Sequence, residues 1–218
     1  AYQSALDGTR RGDELKSPFI TAVGHMRQGH ALNLKINTAD DNATLPLTEF
    51  EKTIELSKSL EVSRLLVEAD WGLCRAYGYR GDFQRAQHHA QEAIDIAVEA
   101  GDEWIASLTR LTMGASLMMA ARYEAAETWL NRAVLGFEEC SDSFGRSAAR
   151  LWLAHGYFKQ KNFERVAQLL PDTLGVCQQN VYYFFFTRPS LLGPSDERIF
   201  IPLLLHARQN NRESGYID

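Results

Sequence analysis

The 218-residue sequence lacks the features that would direct its interpretation toward a membrane, a secretory route or a nucleic acid. No stretch of about 18 apolar residues occurs, so a transmembrane span is not expected. The first residues show no charged segment followed by an apolar one, which is the pattern of a secretory signal. No basic run is present and the formal net charge is −5, whereas a non-specific nucleic-acid binder needs a clustered basic surface. These absences favour a cytoplasmic protein with no membrane contact and no direct nucleic-acid binding by this segment.

Cysteine is scarce, and its pattern excludes a disulfide framework. The three cysteines, Cys74, Cys140 and Cys177, are an odd number and form no CxxC pair. Small thiols at helix contacts in a reducing compartment are predicted to be buried and unoxidised. The sequence therefore gives no support for a redox or metal role of these residues.

Catalytic motifs are also missing. Neither GxSxG, HExxH nor GxxxxGK[ST] occurs. The six histidines are scattered, and the adjacent His88 and His89 would point about 100° apart on a helix, which suits no shared metal. Exposed or capping histidines are predicted. The sequence thus predicts no enzyme activity, no metal site and no cofactor.

What the sequence does contain is a repeat. Phe83, Tyr123 and Phe163 stand 40 residues apart. Other positions keep the same spacing: Ala86, Ala126 and Val166; Ala90, Leu130 and Leu170; Ala93, Ala133 and Thr173; Trp71, Leu111 and Leu151; Cys74, Gly114 and Ala154; Tyr77, Leu117 and Tyr157. A fixed period of this length indicates a repeat architecture, in which each unit packs on its neighbours. An all-α solenoid of antiparallel helix pairs is therefore expected.

Each unit is predicted to consist of two helices joined by a tight turn. The first helices are predicted over 65–79, 104–120 and 144–160, and the second helices over 83–100, 123–139 and 163–179. Gly81 can adopt the left-handed conformation that a helix end prefers. Pro171 is expected to kink or restart the last second helix, and Pro202 to break a terminal helix that ends near Arg208.

The repeat register divides the chain into one solenoid with two atypical ends. The predicted units are a partial repeat over 1–16, a repeat with a 5-residue insertion over 17–62, and repeats over 63–102, 103–142 and 143–180, followed by an atypical C-terminal cap over 181–218. The insertion is placed in the polar segment 37–44. Because the chain starts in mid-repeat and not with Met, an excised fragment of a longer protein is expected.

The unit resembles a tetratricopeptide repeat. The matching residues are Trp71, Leu73, Cys74, Tyr77, Gly81, Phe83, Ala86 and Ala93. The period of 40 exceeds the 34 residues of the standard repeat, and Gly101 and Asp102 stand where that repeat closes with Pro. Long repeats of this kind are similar to the sensor region of large bacterial transcriptional activators of the maltose-activator and antibiotic-regulator type. The segments most like that region are 17–31, 101–104 and 186–194.

The resemblance implies a right-handed superhelix whose first helices line a concave groove. The implied groove residues are Arg27, His30, Leu34, Arg75, Tyr79, Thr112, Met118, Met119, Trp152, His155 and Phe158. A sensor module would bind an inducer or a partner protein there and couple it to attached ATPase and DNA-binding domains. The alternative is a stand-alone adaptor that captures a peptide or helix. Packing of Trp152 and Phe158 against the next repeat, and solvated ion pairs for the two arginines, also stay open.

Overall fold

The computed structural model describes residues 1–34, 45–182 and 197–209, and these ranges are helical without a strand. The helices of the described ranges are α1 (Tyr2–Glu14), α2 (Pro18–Asn33), α3 (Leu45–Leu60), α4 (Ser63–Tyr79), α5 (Phe83–Glu99), α6 (Glu103–Met119), α7 (Tyr123–Glu139), α8 (Ser143–Lys159), α9 (Phe163–Gln179) and α10 (Glu197–Gln209). The six helices predicted for the repeats agree with α4 to α9 within two residues at each end. An all-helical repeat of consecutive helices is thus confirmed. The predicted insertion and most of the aromatic run 181–186 lie outside the described residues.

The helices divide into two compact units, 1–109 and 110–218, and the boundary falls within α6. In the first unit, α2 packs against α1, α3 and α4, and α4 packs against α3 and α5. In the second unit, α8 packs against α7, α9 and α10. In these packed pairs, each helix buries a face against its neighbour within the unit.

The turns between the helices repeat one backbone device. A left-handed residue follows each of eight helices: Lys16, Glu61, Gly81, Gly101, Ala121, Ser141, Lys161 and Val181. After it, a backbone N–H bonds the carbonyl five residues back, for example Asp142 to Phe137 at 2.8 Å and Arg122 to Leu117 at 2.9 Å. This pattern is the Schellman cap, which satisfies carbonyls that the helix end leaves unbonded. The following residue then caps the next helix where its side chain allows, as Asp142 does by accepting from Phe144 N and Gly145 N.

Close helix contacts depend on glycine opposite a large residue. Phe50 of α3 is fully buried, and a Cβ on Gly29 of α2 would lie 2.7 Å from its ring. A Cβ on Gly72 of α4 would meet the same ring even more closely. In the second unit, Gly114 of α6 faces Leu130 of α7 in the same manner, at 2.6 Å. The ring of Phe50 therefore fills the space that two glycines leave on α2 and α4.

Two sequence predictions are corrected by the structure. Pro202 lies inside α10 and does not break that helix. Pro171 lies inside α9, which spans the predicted range 163–179 as one helix. Burial of Leu170 and Leu174 on α9 offsets the roughly 3 kcal/mol that an interior proline costs. Cys140 is exposed at the end of α7, because a cap position projects beyond the helix contact.

Cys74 and Cys177 are buried as predicted. Burial raises the pKa of the Cys74 thiol to about 12 and that of Cys177 to about 11. Both groups are therefore protonated and unreactive at neutral pH. In the described part of the chain, no helix combines the length and the apolar character that crossing a membrane requires.

Candidate ligand-binding site

The predicted groove residues fall into two sets, one in each unit. The first set lies on α2 and α4: Arg27, His30, Leu34, Arg75 and Tyr79. The second set lies on α6 and α8: Thr112, Met118, Met119, Trp152, His155 and Phe158. Burial divides both sets. The exposed members are Arg27, Leu34, Tyr79 and Met119, Phe158 is half-buried, and the others are buried.

His30 lies in an aromatic enclosure on α2. Its ring centroid is 4.9 Å from that of Phe50, edge-on, and 4.9 Å from that of Trp71. The glycine next to it, Gly29, is what lets Phe50 approach so closely. Both ring nitrogens of His30 are buried and have no hydrogen-bond partner. The prediction of exposed or capping histidines is therefore wrong for His30, and also for His155, which is 5 % exposed.

The electrostatics of this enclosure keep His30 neutral. Burial, reinforced by the charges of Arg27 and Arg75, lowers the pKa of His30 from 6.5 to about 3. A neutral imidazole carries one N–H donor and one acceptor nitrogen. At neutral pH the ring thus offers one hydrogen bond of each kind to whatever lies beside it.

Asn33 stands one helical turn after His30 and adds an acceptor to the same helix face. Its Nδ2 donates to the carbonyl oxygen of Gly72 at 3.0 Å, which joins α2 to α4. Its Oδ1 is buried and has no hydrogen-bond partner. Asn33 was not among the predicted residues, although it lies four residues after Gly29, a spacing at which the tetratricopeptide resemblance implies groove residues. That spacing was the signal that could have found it.

Arg75, on α4, is the buried arginine of the first set, whereas Arg27 is exposed. Arg75 is 5 % exposed, its Nε donates to the hydroxyl of Tyr79 at 3.3 Å, and its guanidinium carbon lies 5.2 Å from the Tyr79 ring centroid. Its Nη1 is buried without a hydrogen-bond partner. In the part of the chain that the structure describes, no ion pair joins Arg75 to a carboxylate. The expected solvated ion pair is therefore not what holds this side chain.

Two largely buried carboxylates, one on α3 and one on α4, are paired with groups other than Arg75. Asp70 of α4 lies 2.8 Å from His89 Nδ1, and Glu49 of α3 lies 2.5 Å from His25 Nδ1 and 3.1 Å from Lys52 Nζ. Neither carboxylate is paired with Arg75. A buried cation in a low-dielectric interior is unfavourable by several kcal/mol unless it is paired. The first set therefore combines an uncompensated positive charge with unused polar atoms.

The second set is more apolar. Met118 is buried, and a Cβ on Gly156 of α8 would lie 2.6 Å from its sulfur. Phe158 contacts the rings of Phe163 on α9 and His206 on α10, with centroids 6.0 and 5.5 Å away. These contacts give Met118 and Phe158 a packing role within the second unit.

Trp152 shares one property with the first set. It is 3 % exposed, and its Nε1 is buried without a hydrogen-bond partner. Its ring centroid lies 6.1 Å from that of His155. An apolar setting with one unused donor differs from the first set, which combines a charge, donors and acceptors. The first set is therefore the stronger candidate site.

The described residues contain no group of three or more His, Cys, Asp or Glu side chains that could hold a metal ion. A comparison of the sequence with protein-family models gave no match. A comparison with curated proteins gave none either. The residues of the candidate site are therefore the basis for the function.

Proposed function

We propose that this chain is a non-catalytic binding module, the sensor segment of a cytoplasmic bacterial transcriptional regulator. Its first helices would line the concave side of a right-handed, tetratricopeptide-like superhelix. An inducer or a partner protein bound there would shift the equilibrium of attached ATPase and DNA-binding domains.

One observation carries the proposal. Unused, buried polar atoms are concentrated on the first helices, at His30 and Asn33 of α2 and Arg75 of α4. Most buried polar groups in folded proteins are hydrogen-bonded, and each exception calls for an explanation such as a ligand. The tetratricopeptide resemblance implies that the same helices line the groove. A binding site on α2 and α4 accounts for the unused polar atoms and agrees with that expectation.

A thermal-shift screen tests the binding function. The chain is heated with sugars, nucleotides, amino acids and organic acids, each at about 100 times an expected dissociation constant, where a true ligand adds about 2.7 kcal/mol of stability. For a chain of this size that is a shift of roughly 5–10 °C. The shift should be lost in Arg75→Met and kept in Arg132→Met, a substitution at an exposed arginine of α7. A screen without any shift contradicts a small-molecule sensor.

The regulator assignment has its own test. The reading frame that encodes this segment should carry a nucleotide-binding loop upstream and a DNA-reading helical domain downstream. A reading frame without them would favour the stand-alone adaptor. The exposed Leu34 and Tyr79, on α2 and α4, would then be contact residues for a captured peptide.

A further inference from the structure

We propose that the site on α2 and α4 binds a small organic acid that carries a carboxylate and a neighbouring O–H or N–H donor. The carboxylate of the ligand accepts from Arg75, and its O–H or N–H donates to Asn33. The inference rests on the proposed binding function and names the chemistry of the ligand.

The charge of the ligand follows from Arg75. Arginine stays protonated in proteins, so burial does not remove its charge. Its Nε already bonds Tyr79, whereas Nη1 has no partner, and neither Asp70 nor Glu49 is paired with it. A bound water could occupy the hydrogen bond but would not neutralise the charge. An anion does both, which makes an anionic ligand the better complement.

The hydrogen-bond inventory distinguishes a carboxylate from a phosphate. The unused buried donor atoms are Nη1 of Arg75, which carries two N–H groups, and one ring nitrogen of neutral His30. A carboxylate has two oxygens, one for each of these donor atoms, and a single negative charge. A phosphoryl group would bring a second negative charge, whereas Arg75 supplies the single buried positive charge among the described residues of the site. The carboxylate therefore matches the available groups more closely.

The unused acceptor atom of Asn33 indicates that the ligand carries a hydrogen-bond donor beside its carboxylate. The Nδ2 of Asn33 is engaged with Gly72, so the side chain presents only Oδ1, which accepts and cannot donate. The second nitrogen of His30 is an acceptor as well. A ligand that carries only acceptors would leave both atoms unpaired. An α-hydroxy or α-amino acid supplies the O–H or N–H that they require.

Aromatic rings border the polar atoms of the site. The rings of Phe50 and Trp71 lie 4.9 Å from that of His30, and the Tyr79 ring lies against Arg75. His30 and Asn33 are one turn apart on α2, and the Asn33–Gly72 bond brings that turn to α4 within three residues of Arg75. The polar groups of the site therefore lie on adjoining turns of α2 and α4.

Titration calorimetry and thermal shift on the full chain test the assignment, with lactate, malate, citrate, gluconate and glutamate as probes. Each probe that binds is compared with two analogues, one without the hydroxyl or amine and one with amidated carboxylates. For malate these analogues are succinate and malamide. Loss of the donor should weaken binding about tenfold, and loss of the charge about 10- to 100-fold. Arg75→Met should abolish the binding, Arg75→Lys should retain part of it, and Arg132→Met should leave it unchanged.

The outcomes separate this inference from the proposed function. If a neutral sugar or nucleoside stabilises the chain, the carboxylate assignment is wrong and the binding function stands. The same conclusion follows if inorganic phosphate binds more tightly than every probe. If no probe and no compound of the wider screen binds, the carboxylate assignment and the small-molecule sensor both fail, and the binding function is left to a partner protein. If Arg75→Met does not fold, the comparison of malate, succinate and malamide on the unaltered chain still decides the assignment.

Discussion

The pairing of Gly114 with Leu130 makes a quantitative prediction about how α6 and α7 pack. In Gly114→Ala, the new Cβ would lie 2.6 Å from Cγ of Leu130, 2.8 Å from Cδ2 and 3.3 Å from its backbone nitrogen. Overpacking of this kind is unfavourable by about 1–3 kcal/mol, and the better helix propensity of alanine offsets about 1 kcal/mol of it. The net expectation is a loss of about 0–2 kcal/mol.

Leu130→Ala alone should cost about 2–5 kcal/mol, because Leu130 is fully buried. In the double variant the methyl group introduced by Gly114→Ala occupies space that the leucine side chain has vacated, so the overpacking disappears and the propensity gain remains. We therefore expect the double variant to be more stable than Leu130→Ala alone, with a coupling of about 1–3 kcal/mol.

Urea unfolding followed by circular dichroism measures the four free energies of this cycle. Gly175→Ala on α9 is the matched control, because a Cβ there meets nothing within 4 Å and should add stability through propensity alone. If the losses of unfolding free energy in the two single variants simply add in the double variant, the two residues are not in contact. A gain of stability in Gly114→Ala would refute the contact as well.

Three further predictions concern a buried histidine, a turn and the repeat register. His30 has a folded pKa of about 3, below its ordinary 6.5, so the unfolded chain binds the proton first and acid destabilises the fold. Stability should fall by up to about 1.4 kcal/mol per pH unit from 6.5 toward 3, and the slope should shrink in His30→Phe, as pH-dependent urea titrations would reveal. Val181 has a positive φ of 58°, which strains a β-branched residue, so Val181→Gly should raise the melting temperature by a few degrees, whereas Leu135→Gly within α7 should lower it. Ala126 is fully buried at the small-residue slot, so Ala126→Trp should abolish cooperative unfolding in a denaturant titration, and a cooperative transition there would show that the register is wrong.

The helices were predictable because their signals are local and repeated. Small residues such as Ala86 and Ala126 recur at one slot, and both are fully buried. The left-handed turn residues recur as well, although only Gly81 and Gly101 among them are glycines. Lys161 adopts the same conformation because α8 and α9, the helices on its two sides, impose it. The repeat length fixes those turns even where the residue type opposes them.

The candidate site was only partly predictable, because burial and pairing depend on residues distant in the chain. The register placed His30 and Arg75 on first helices, yet it did not show that Phe50 would enclose His30 or that Arg75 would lie without a carboxylate. Pro202 misled for a related reason. A proline opposes a helix locally, yet α10 continues through it because Leu203 and Ala207 are buried on that helix.

The ring of Phe50 leaves no slack between α2, α3 and α4. It rests against the backbone at Gly29 and Gly72, and its edge meets the ring of His30. Interiors packed this closely transmit displacement instead of absorbing it. We therefore expect a displacement of the His30 ring to move Phe50 and, with it, α3, a helix of 16 residues.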